Sequence, residues 1–397
     1  MKQHSPWQRQ ILLFLVSQCI TLFGSTLVQM AVIWYVTMQT ASGAWVAAFS
    51  VCAYLPQFVI SFWGGVWADR YDRKTLIIAA DAAIALVTLA MVWALPHLSS
   101  EPLLLGGLLL MSLLRSLGAG IQTPAVSAVI PQLVPEAQLM RYNGLNACMQ
   151  SLVQFAAPAA AGLLFAAASL RSALLVDVLT AAVGISLFLL VPLPAHPLPR
   201  EQRSVLADMR QGLAYAFTQR FVGRLLLIYG LFVFLSVPAG FLAGLLVRRV
   251  YGETYWYLTI VEVIGFAGMA AGGLLMSLWG DRTSRNRTLA LALTVYGALA
   301  ALMGLTPPFP LYLALMLGYG IALTTVQTAL TTLLQETADP ALHGRIFGLL
   351  SAMYAGFLPL GMAVFGPLAD YLPLSSLMIA SGAALAAAAA LVGRASR

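Results

Sequence analysis

The sequence predicts an all-α integral membrane protein with twelve transmembrane helices in two pseudo-symmetric six-helix bundles. Three observations predict it. Apolar residues make up 60% of the 397 positions and charged residues only 9%, which leaves too few charges to coat a water-facing surface. The apolar residues fall in runs of about 20 or more, the length that crosses a bilayer as a helix. Finally, a short basic loop, Gly65-Val-Trp-Ala-Asp69-Arg70-Tyr-Asp72-Arg73-Lys74, recurs in looser form 212 residues later as Trp279-Gly-Asp281-Arg282-Thr-Ser-Arg285-Asn-Arg287.

In the first half the predicted helices are 11–38, 44–68, 75–95, 102–123, 144–168 and 172–192. The first starts near the beginning of the chain, but it is too long for the apolar core of a signal peptide and no small-residue cleavage site with a hydrophilic domain follows, so it is expected to persist. The second and third flank the basic loop. The fourth carries Arg115 and the sixth carries Asp177. A polar stretch then interrupts the pattern: Pro192, Pro194, Pro197 and Pro199 precede a charged segment, 200–220, that fits a helix lying on the membrane surface.

The second half repeats the count with 221–246, 255–279, 288–306, 310–333, 346–369 and 374–393. Its second helix opens on Tyr255-Trp256-Tyr257, an interfacial aromatic belt. The expected domains are therefore an N-terminal bundle 1–192, a linker 193–220 and a C-terminal bundle 221–397. Cys19, Cys52 and Cys148 all fall inside predicted helices without metal-ligand spacing, so they say nothing about redox compartment and no metal site is expected.

A second echo supports the division. Gln122-Thr123, Gln132, Arg141 and Gly144-Leu145 correspond to Gln327-Thr328, Gln335, Arg345 and Gly348-Leu349 at offsets of 203 to 205 residues. Two independent echoes at nearly one offset argue against chance similarity among apolar segments. Parallel six-helix repeats are a transporter architecture, with the substrate site near the midplane between the halves.

The net charge of +7 does not point to nucleic acid, because of where the charge lies. With the N-terminus inside, seventeen of the 21 Lys and Arg residues are cytoplasmic, Arg171, Arg248 and Arg249 are outside, and Arg115 is within the membrane. That asymmetry is the positive-inside rule, and it places both termini in the cytoplasm and the protein in the cell (inner) membrane.

The loop at 65–74 fits the pattern Gly-x-x-x-Asp-Arg-x-Gly-Arg-Arg/Lys at Gly65, Asp69, Arg70, Arg73 and Lys74, and departs from it at Asp72, where glycine is usual. Leu114-Arg115-Ser-Leu-Gly118-Ala-Gly120 fits a second pattern, Arg-x-x-x-Gly-x-Gly. With these motifs the chain resembles the major facilitator superfamily over essentially its whole length, which implies that family's fold and alternating access. Leu27-Val-Gln-Met-Ala, Ala68-Asp-Arg-Tyr-Asp-Arg-Lys, Ile121-Gln-Thr-Pro-Ala and His343-Gly-Arg-Ile-Phe are similar to the macrolide-efflux branch and to siderophore exporters. The multidrug exporters' Gly-Pro-rich helix-5 motif is only partly present, as Ala157-Pro158-Ala-Ala-Ala-Gly162.

The resemblance implies a conformational latch. Asp69, flanked by Gly65, Arg70, Arg73 and Lys74, would face the N-terminal end of the eleventh helix near Arg345 to Phe347, where free backbone N–H groups favour an anion by about 0.3–1 kcal/mol. Asp281, with Arg282 and Arg285, would do the same toward the fifth helix near Asn143. The competing reading of both loops is an exposed topogenic segment.

Four ionisable residues lie within the predicted helices: Asp81, Arg115, Asp177 and Glu262. Each costs about 2.5–3.5 kcal/mol near a helix centre on insertion scales, so each is a candidate for proton coupling. For Asp81 and Asp177, near helix ends, structural pairing is the competing reading and the stronger one. Arg115 is too deep to snorkel and needs a carboxylate or several carbonyls; it is either a coupling residue, as the resemblance implies, or an interhelical anchor. Glu262 stands alone in an apolar helix, where desolvation favours the protonated form. It is either a proton carrier or a permanently protonated Glu at the tight interface that Gly265, Gly268 and Gly272 permit.

Cavity walls for a large amphipathic substrate need apolar surface with a few orienting polar groups. The mid-depth candidates are Gln18, Gln29, Tyr54, Gln57, Gln150 and Gln154 in the first half and Tyr229, Phe232, Phe266, Tyr319, Gln327 and Tyr354 in the second. His4, His97, His196 and His343 lie in a terminus or in loops without paired spacing, and no phosphate-binding loop is present, so neither an enzyme nor an ATP-driven pump is expected. The sequence thus reads as a monomeric secondary transporter that exports macrolide-like amphipathic compounds in exchange for protons, with no cofactor beyond the proton gradient. The rival cargo is a siderophore or other secondary metabolite; a membrane-embedded enzyme or sensor scaffold is the distant alternative.

The charge asymmetry makes a direct prediction. In a cysteine-free background, single cysteines at Ser99 and Thr306 are expected to react with a membrane-impermeant maleimide added outside, whereas one at Gln202 is not. The reverse pattern would overturn the helix count.

Overall fold

The computed structural model describes residues 6–135, 138–167, 169–193, 219–279, 284–337 and 343–394. Among them are the helices α1 (Pro6–Thr40), α2 (Gly43–Arg70), α3 (Arg73–Ala94), α4 (Glu101–Leu133), α5 (Leu139–Ala167), α6 (Leu170–Leu189), α7 (Arg220–Gly240), a short helix Ala243–Val250, α8 (Tyr255–Trp279), α9 (Arg285–Gly304), α10 (Phe309–Thr337), α11 (His343–Tyr371) and α12 (Leu374–Arg394). No strand occurs among the described residues. Eleven stretches are long and apolar enough to cross a membrane, and α12 contributes the shorter apolar stretch Leu374–Ala389. Helix is the expected outcome, because hydrocarbon offers no partner to a backbone N–H or C=O and a helix satisfies these groups within one segment.

The observed helices outrun the apolar runs. α4 continues to Leu133 rather than stopping near 123, and α5 begins at Leu139 rather than 144. Hydropathy marks only the part of a helix inside the hydrocarbon, and the ends that project into polar surroundings carry ordinary polar residues. The predicted seventh helix is not continuous: α7 ends at Gly240, and the chain resumes helix at Ala243. Pro238 sits just before the break and cannot donate the bond that would hold Phe234 O, which weakens the helix there. The surface helix expected within 200–220 lies almost wholly outside the described residues, as do Asp281 and Arg282.

The chain forms two compact units. The first comprises Met1–Val36 and Phe49–Gln202; the second comprises Thr37–Ala48 and Arg203–Arg397. The turn between α1 and α2 therefore belongs to the second unit, while the bodies of both helices belong to the first. In the first unit α3 packs on α4 and α6, over an apolar core that includes Ile11, Phe14, Ile77, Val129 and Phe188. Edge-on Trp7–Tyr142 and tilted Phe14–Phe188 ring pairs, with centroids 5.6 and 5.4 Å apart, fasten its margins.

In the second unit α8 packs on α10, α9 on α12 and α10, and α7 on α11 and α12. Small residues set these distances. A methyl on Gly268 of α8 would overlap the Leu317 carbonyl oxygen of α10, and one on Gly272 would stand 2.7 Å from the Ile321 carbonyl oxygen. In lipid, where apolar burial does not drive helices together, such backbone contact supplies much of the association.

Two of the prolines inside the helices stand opposite glycines of a neighbouring helix. Pro124 cannot donate to the Gly120 carbonyl, and that oxygen faces Gly64 of α2, where a methyl would lie only 2.5 Å away. Likewise Pro238 leaves the Phe234 carbonyl without its usual partner, and the oxygen faces Gly361 of α11, where a methyl would lie 3.1 Å away. In each case the glycine's missing side chain leaves room for the oxygen that proline released.

Gly297 tests the packing argument. A methyl there would lie 2.8 Å from Ala386 N and would overlap the Gly382 carbonyl oxygen, both of them backbone atoms of α12. Gly297→Ala is expected to lower the thermal unfolding midpoint in detergent by several degrees, corresponding to about 1–3 kcal/mol of overpacking. Gly106→Ala, into open space, should be neutral or slightly stabilising through helix propensity. Equal midpoints for Gly297→Ala and the wild type would refute the close approach.

Candidate functional site

The first unit holds a buried ion pair. Arg115 on α4 donates through Nη1 to Asp177 Oδ2 on α6 and to Thr88 Oγ1 on α3, and Nη2 lies 3.4 Å from Asp177 Oδ1. Thr88 also donates to Asp177 Oδ2 at 2.9 Å. The Asp177 side chain is 2% exposed and that of Arg115 10%. Three helices thus meet on one carboxylate, and the counter-charge Arg115 requires comes from a residue 62 positions away.

Asp81 on α3 is also buried, but it has a neutral partner, the side chain of Gln122 on α4. Gln122 donates through Nε2 to Gln18 Oε1 on α1 at 3.1 Å, and Gln18 in turn lies 3.4 Å from Ser17 Oγ. Among its described residues the unit therefore buries two carboxylates, Asp81 and Asp177, and the guanidinium of Arg115. Arg115 pairs with Asp177, whereas the partner of Asp81 is an uncharged amide.

A cavity of about 90 Å³ opens beside the pair, lined by Gln29, Gln57, Ser112 and Arg115 among apolar residues of α1 to α4 such as Phe49 and Ile84. Gln29 and Gln57 are the sequence candidates that the structure brings into this cavity. Arg115 contributes the charged group on its wall.

The second unit is organised differently. Glu262 is half-buried on α8, without an ion pair among the described residues, and Tyr312 of α10 lies within reach of its charge. Tyr312 is fully buried and its phenolic oxygen has no hydrogen-bond partner. Nearby, Tyr296 of α9 and Tyr319 of α10 stack at 4.2 Å with their hydroxyls in contact, and Phe232 of α7 packs on Tyr296 at 4.9 Å. Phe232, Tyr229 and Tyr319, all candidates for a cavity wall, are buried in this aromatic core, where they join α7, α9 and α10.

The remaining candidates are scattered. Tyr54, Phe266, Gln327 and Tyr354 are half-buried, and Gln150 and Gln154 are exposed on α5. Sequence reading missed Thr88 and Tyr312, because a threonine or tyrosine in an apolar helix carries no signal of its own; only the partner across the interface singles it out. Gln122 was visible as part of the repeat but not as a carboxylate's partner.

The basic loop after α2 acts first on its own unit. Arg73 donates to Ala68 O at the end of α2 (2.9 Å) and to Ala128 O of α4 (2.7 Å), and Lys74 donates to Leu189 O and Val191 O at the end of α6, both at 2.8 Å. A helix C-terminus leaves its last carbonyls unpaired and slightly negative, so cations there are favoured. Asp72, the departure from the family pattern, serves its own helix and caps α3 by accepting from Thr75 N at 2.8 Å and Thr75 Oγ1 at 2.7 Å. Gly65 faces open space and Arg70 is exposed; the side chain of Asp69 lies outside the described residues. In the second loop, Arg285 lies 3.3 Å from the exposed Glu336.

A profile for the Major Facilitator Superfamily matches residues 14–362. Macrolide efflux protein A of Streptococcus pyogenes is 27% identical over 391 residues, covering 96% of this chain and 95% of that protein. The protein of the same name from Enterococcus faecalis is 28% identical and covers 80% and 99%. Enterobactin exporter EntS of Shigella boydii is 28% identical over 314 residues, 77% of this chain and 72% of that one. Among solved structures, a D-xylose–proton symporter superposes with a TM-score of 0.74 at 14% identity, covering 96% of this chain and 97% of the other. A bacterial homologue of the iron transporter ferroportin superposes equally well at 17% identity, covering 98% and 99%. With its two motifs, its apolar helices and a profile match over most of its length, the chain belongs to the major facilitator superfamily and is a membrane transporter.

Proposed function

We propose that this transporter exports macrolide-like amphipathic compounds across the cell membrane in exchange for protons. The observation that carries the reading is the near-full-length similarity to two macrolide efflux proteins. The cavity is consistent with a ligand of mixed polarity, since apolar side chains such as Val28, Phe49 and Ile84 share its wall with Gln29, Gln57, Arg115 and three serines. A siderophore is the second reading, favoured by the match to the enterobactin exporter.

In this reading the proton sites are Asp81 and Glu262, the two carboxylates in apolar helices without a cationic partner among the described residues, and the Arg115–Asp177 pair senses the substrate. A carrier must alternate between charged and neutral forms, and a carboxylate already locked to a guanidinium does so poorly. The positive-inside count supports cytoplasmic termini. Asp69 and Asp281 keep the latch role that the family motif implies, biasing the equilibrium between states without contacting substrate.

A susceptibility panel of macrolides and siderophores in an efflux-deficient host expressing the chain tests the cargo. Raised resistance to erythromycin supports the first reading; resistance or secretion confined to siderophores replaces it with the second.

Proton coupling is tested by Glu262→Gln, which copies the protonated shape. It is expected to bind substrate but to lose concentrative export, and substrate addition should no longer release protons. Wild-type export with unchanged pH dependence would transfer the carrier role to Asp81.

The ion pair is tested by removing it in two ways. Arg115→Met or Asp177→Leu alone strands a buried charge and is expected to cost about 3–5 kcal/mol of stability, whereas the double substitution should recover most of that loss. A folded double variant that no longer exports would establish the functional role, and one that exports normally would reduce the pair to an anchor.

A further inference from the structure

The polar chain that links Asp81 to α1 has a fixed direction. Ser17 Oγ donates to Phe14 O at 2.7 Å, and a carbonyl oxygen only accepts. Ser17 is left with lone pairs for Gln18, which turns Nε2 toward it at 3.4 Å and so presents Oε1 to Gln122. Gln122 meets that oxygen with its own Nε2 at 3.1 Å. One N–H of Gln122 is thus committed to α1, and the other is the hydrogen offered to Asp81.

That arrangement suits an ionised carboxylate, which only accepts. A protonated Asp81, buried at 4% exposure, carries an O–H that needs an acceptor, and the one its partner supplies is Gln122 Oε1. Presenting it turns a planar amide and carries Nε2 along. The proton on Asp81 and the Gln122–Gln18 bond therefore draw on one group. Of the charged residues on the helices packed against α3, Asp177 of α6 lies within reach of Asp81, and Arg115 of α4 is paired with Asp177.

The chain lies against one end of the cavity in the first unit. On α1, Ser25 and Gln29 line the cavity seven and eleven residues after Gln18, on the same helical face. On α4, Ser112, Arg115 and Ala119 line it ten, seven and three residues before Gln122, again on one face, and on α3 Ile84 lines it three residues after Asp81. Successive membrane-crossing helices alternate in direction, so residues that precede the lining on α1 and α3 and follow it on α4 share one end of the hollow. We propose that Gln122 is a positioning residue for proton coupling: its amide conveys the protonation of Asp81 to α1, and so to the cavity wall, by making or releasing the bond to Gln18. The proposal rests on the reading of Asp81 as a proton site. Such coupling is reciprocal, so a molecule that shifts the α1 wall would change the proton affinity of Asp81 by the same factor.

The test uses the full chain in lipid nanodiscs, with its three cysteines replaced and a trifluoromethyl tag attached through Ser25→Cys. As the pH is varied, the infrared C=O stretch of the protonated acid, assigned by its loss in Asp81→Asn, follows the proton on Asp81, and the fluorine resonance follows the α1 wall. The two are expected to titrate together. In Gln122→Met the infrared band should still titrate while the pH-dependent fluorine shift is lost. Gln18→Met, which keeps the partner of Asp81 and removes the next link, should do the same, and it replaces Gln122→Met if that variant does not fold. Thr21→Val, which removes a different hydroxyl of α1, bonded to Ser17 O at 2.8 Å, should leave both titrations intact. A fluorine shift that titrates unchanged in the glutamine variants, or is lost equally in Thr21→Val, would overturn the proposal and leave Asp81 a proton site. An infrared band that does not titrate, or a fluorine shift that survives Asp81→Asn, would overturn that reading and the proposal with it. Neither readout needs a substrate.

Discussion

Hydrocarbon gives no water to a charge, and the architecture of the first unit follows from how the chain meets that constraint at Arg115. A guanidinium at that depth needs a counter-charge from another helix, and Asp177 supplies it with Thr88 as a third partner. The pair fixes α4 against α6 and both against α3. The same contact exposes one edge of the guanidinium to the cavity, so the group that unites the unit also sets the chemistry of its hollow. Removing one partner would cost more than the pair contributes, because the other charge would stay buried alone.

The two units meet the same solvent with different means. The first uses ions and amides: Arg115–Asp177, and the Asp81–Gln122–Gln18 chain. The second uses phenols, with Tyr296 and Tyr319 stacked hydroxyl to hydroxyl, and among its described residues leaves Tyr312 Oη and Asn286 Oδ1 without a hydrogen-bond partner. The loops that echo one another in sequence thus flank interiors built from different residue types.

Fold was largely readable from the sequence, because the bilayer imposes one rule on every segment: about 20 apolar residues, helical throughout. Boundaries were less so. Apolar runs stop where the hydrocarbon stops, and α4 continues past that point; the interruption between α7 and the short helix depends on Pro238 and its local geometry rather than on hydropathy. The four intramembrane ionisable residues stood out at once as rare charges. Their partners did not, since Thr88 and Gln122 are ordinary residues until α3, α4 and α6 are placed side by side. The cavity list fared worst, because an aromatic residue at mid-depth looks the same whether it faces a hollow, as Phe49 does, or fills a core, as Phe232 and Tyr319 do.

The matched prolines and glycines bear on how such a chain can change over evolutionary time. The oxygen that Pro124 frees points at Gly64 of another helix, and the oxygen that Pro238 frees points at Gly361. Neither member of a pair can be altered alone without consequence: a side chain at the glycine collides with the oxygen, and restoring an amide at the proline withdraws the oxygen that the glycine accommodates. Each pair therefore constrains its two helices jointly, and filling the glycine calls for changes both at the proline and at the glycine's other close contact, Ile121 for Gly64 and Val237 for Gly361. Such paired changes would let the curvature of one helix drift while its neighbour follows, and a transporter could thereby reshape its interior without touching a residue that meets the cargo.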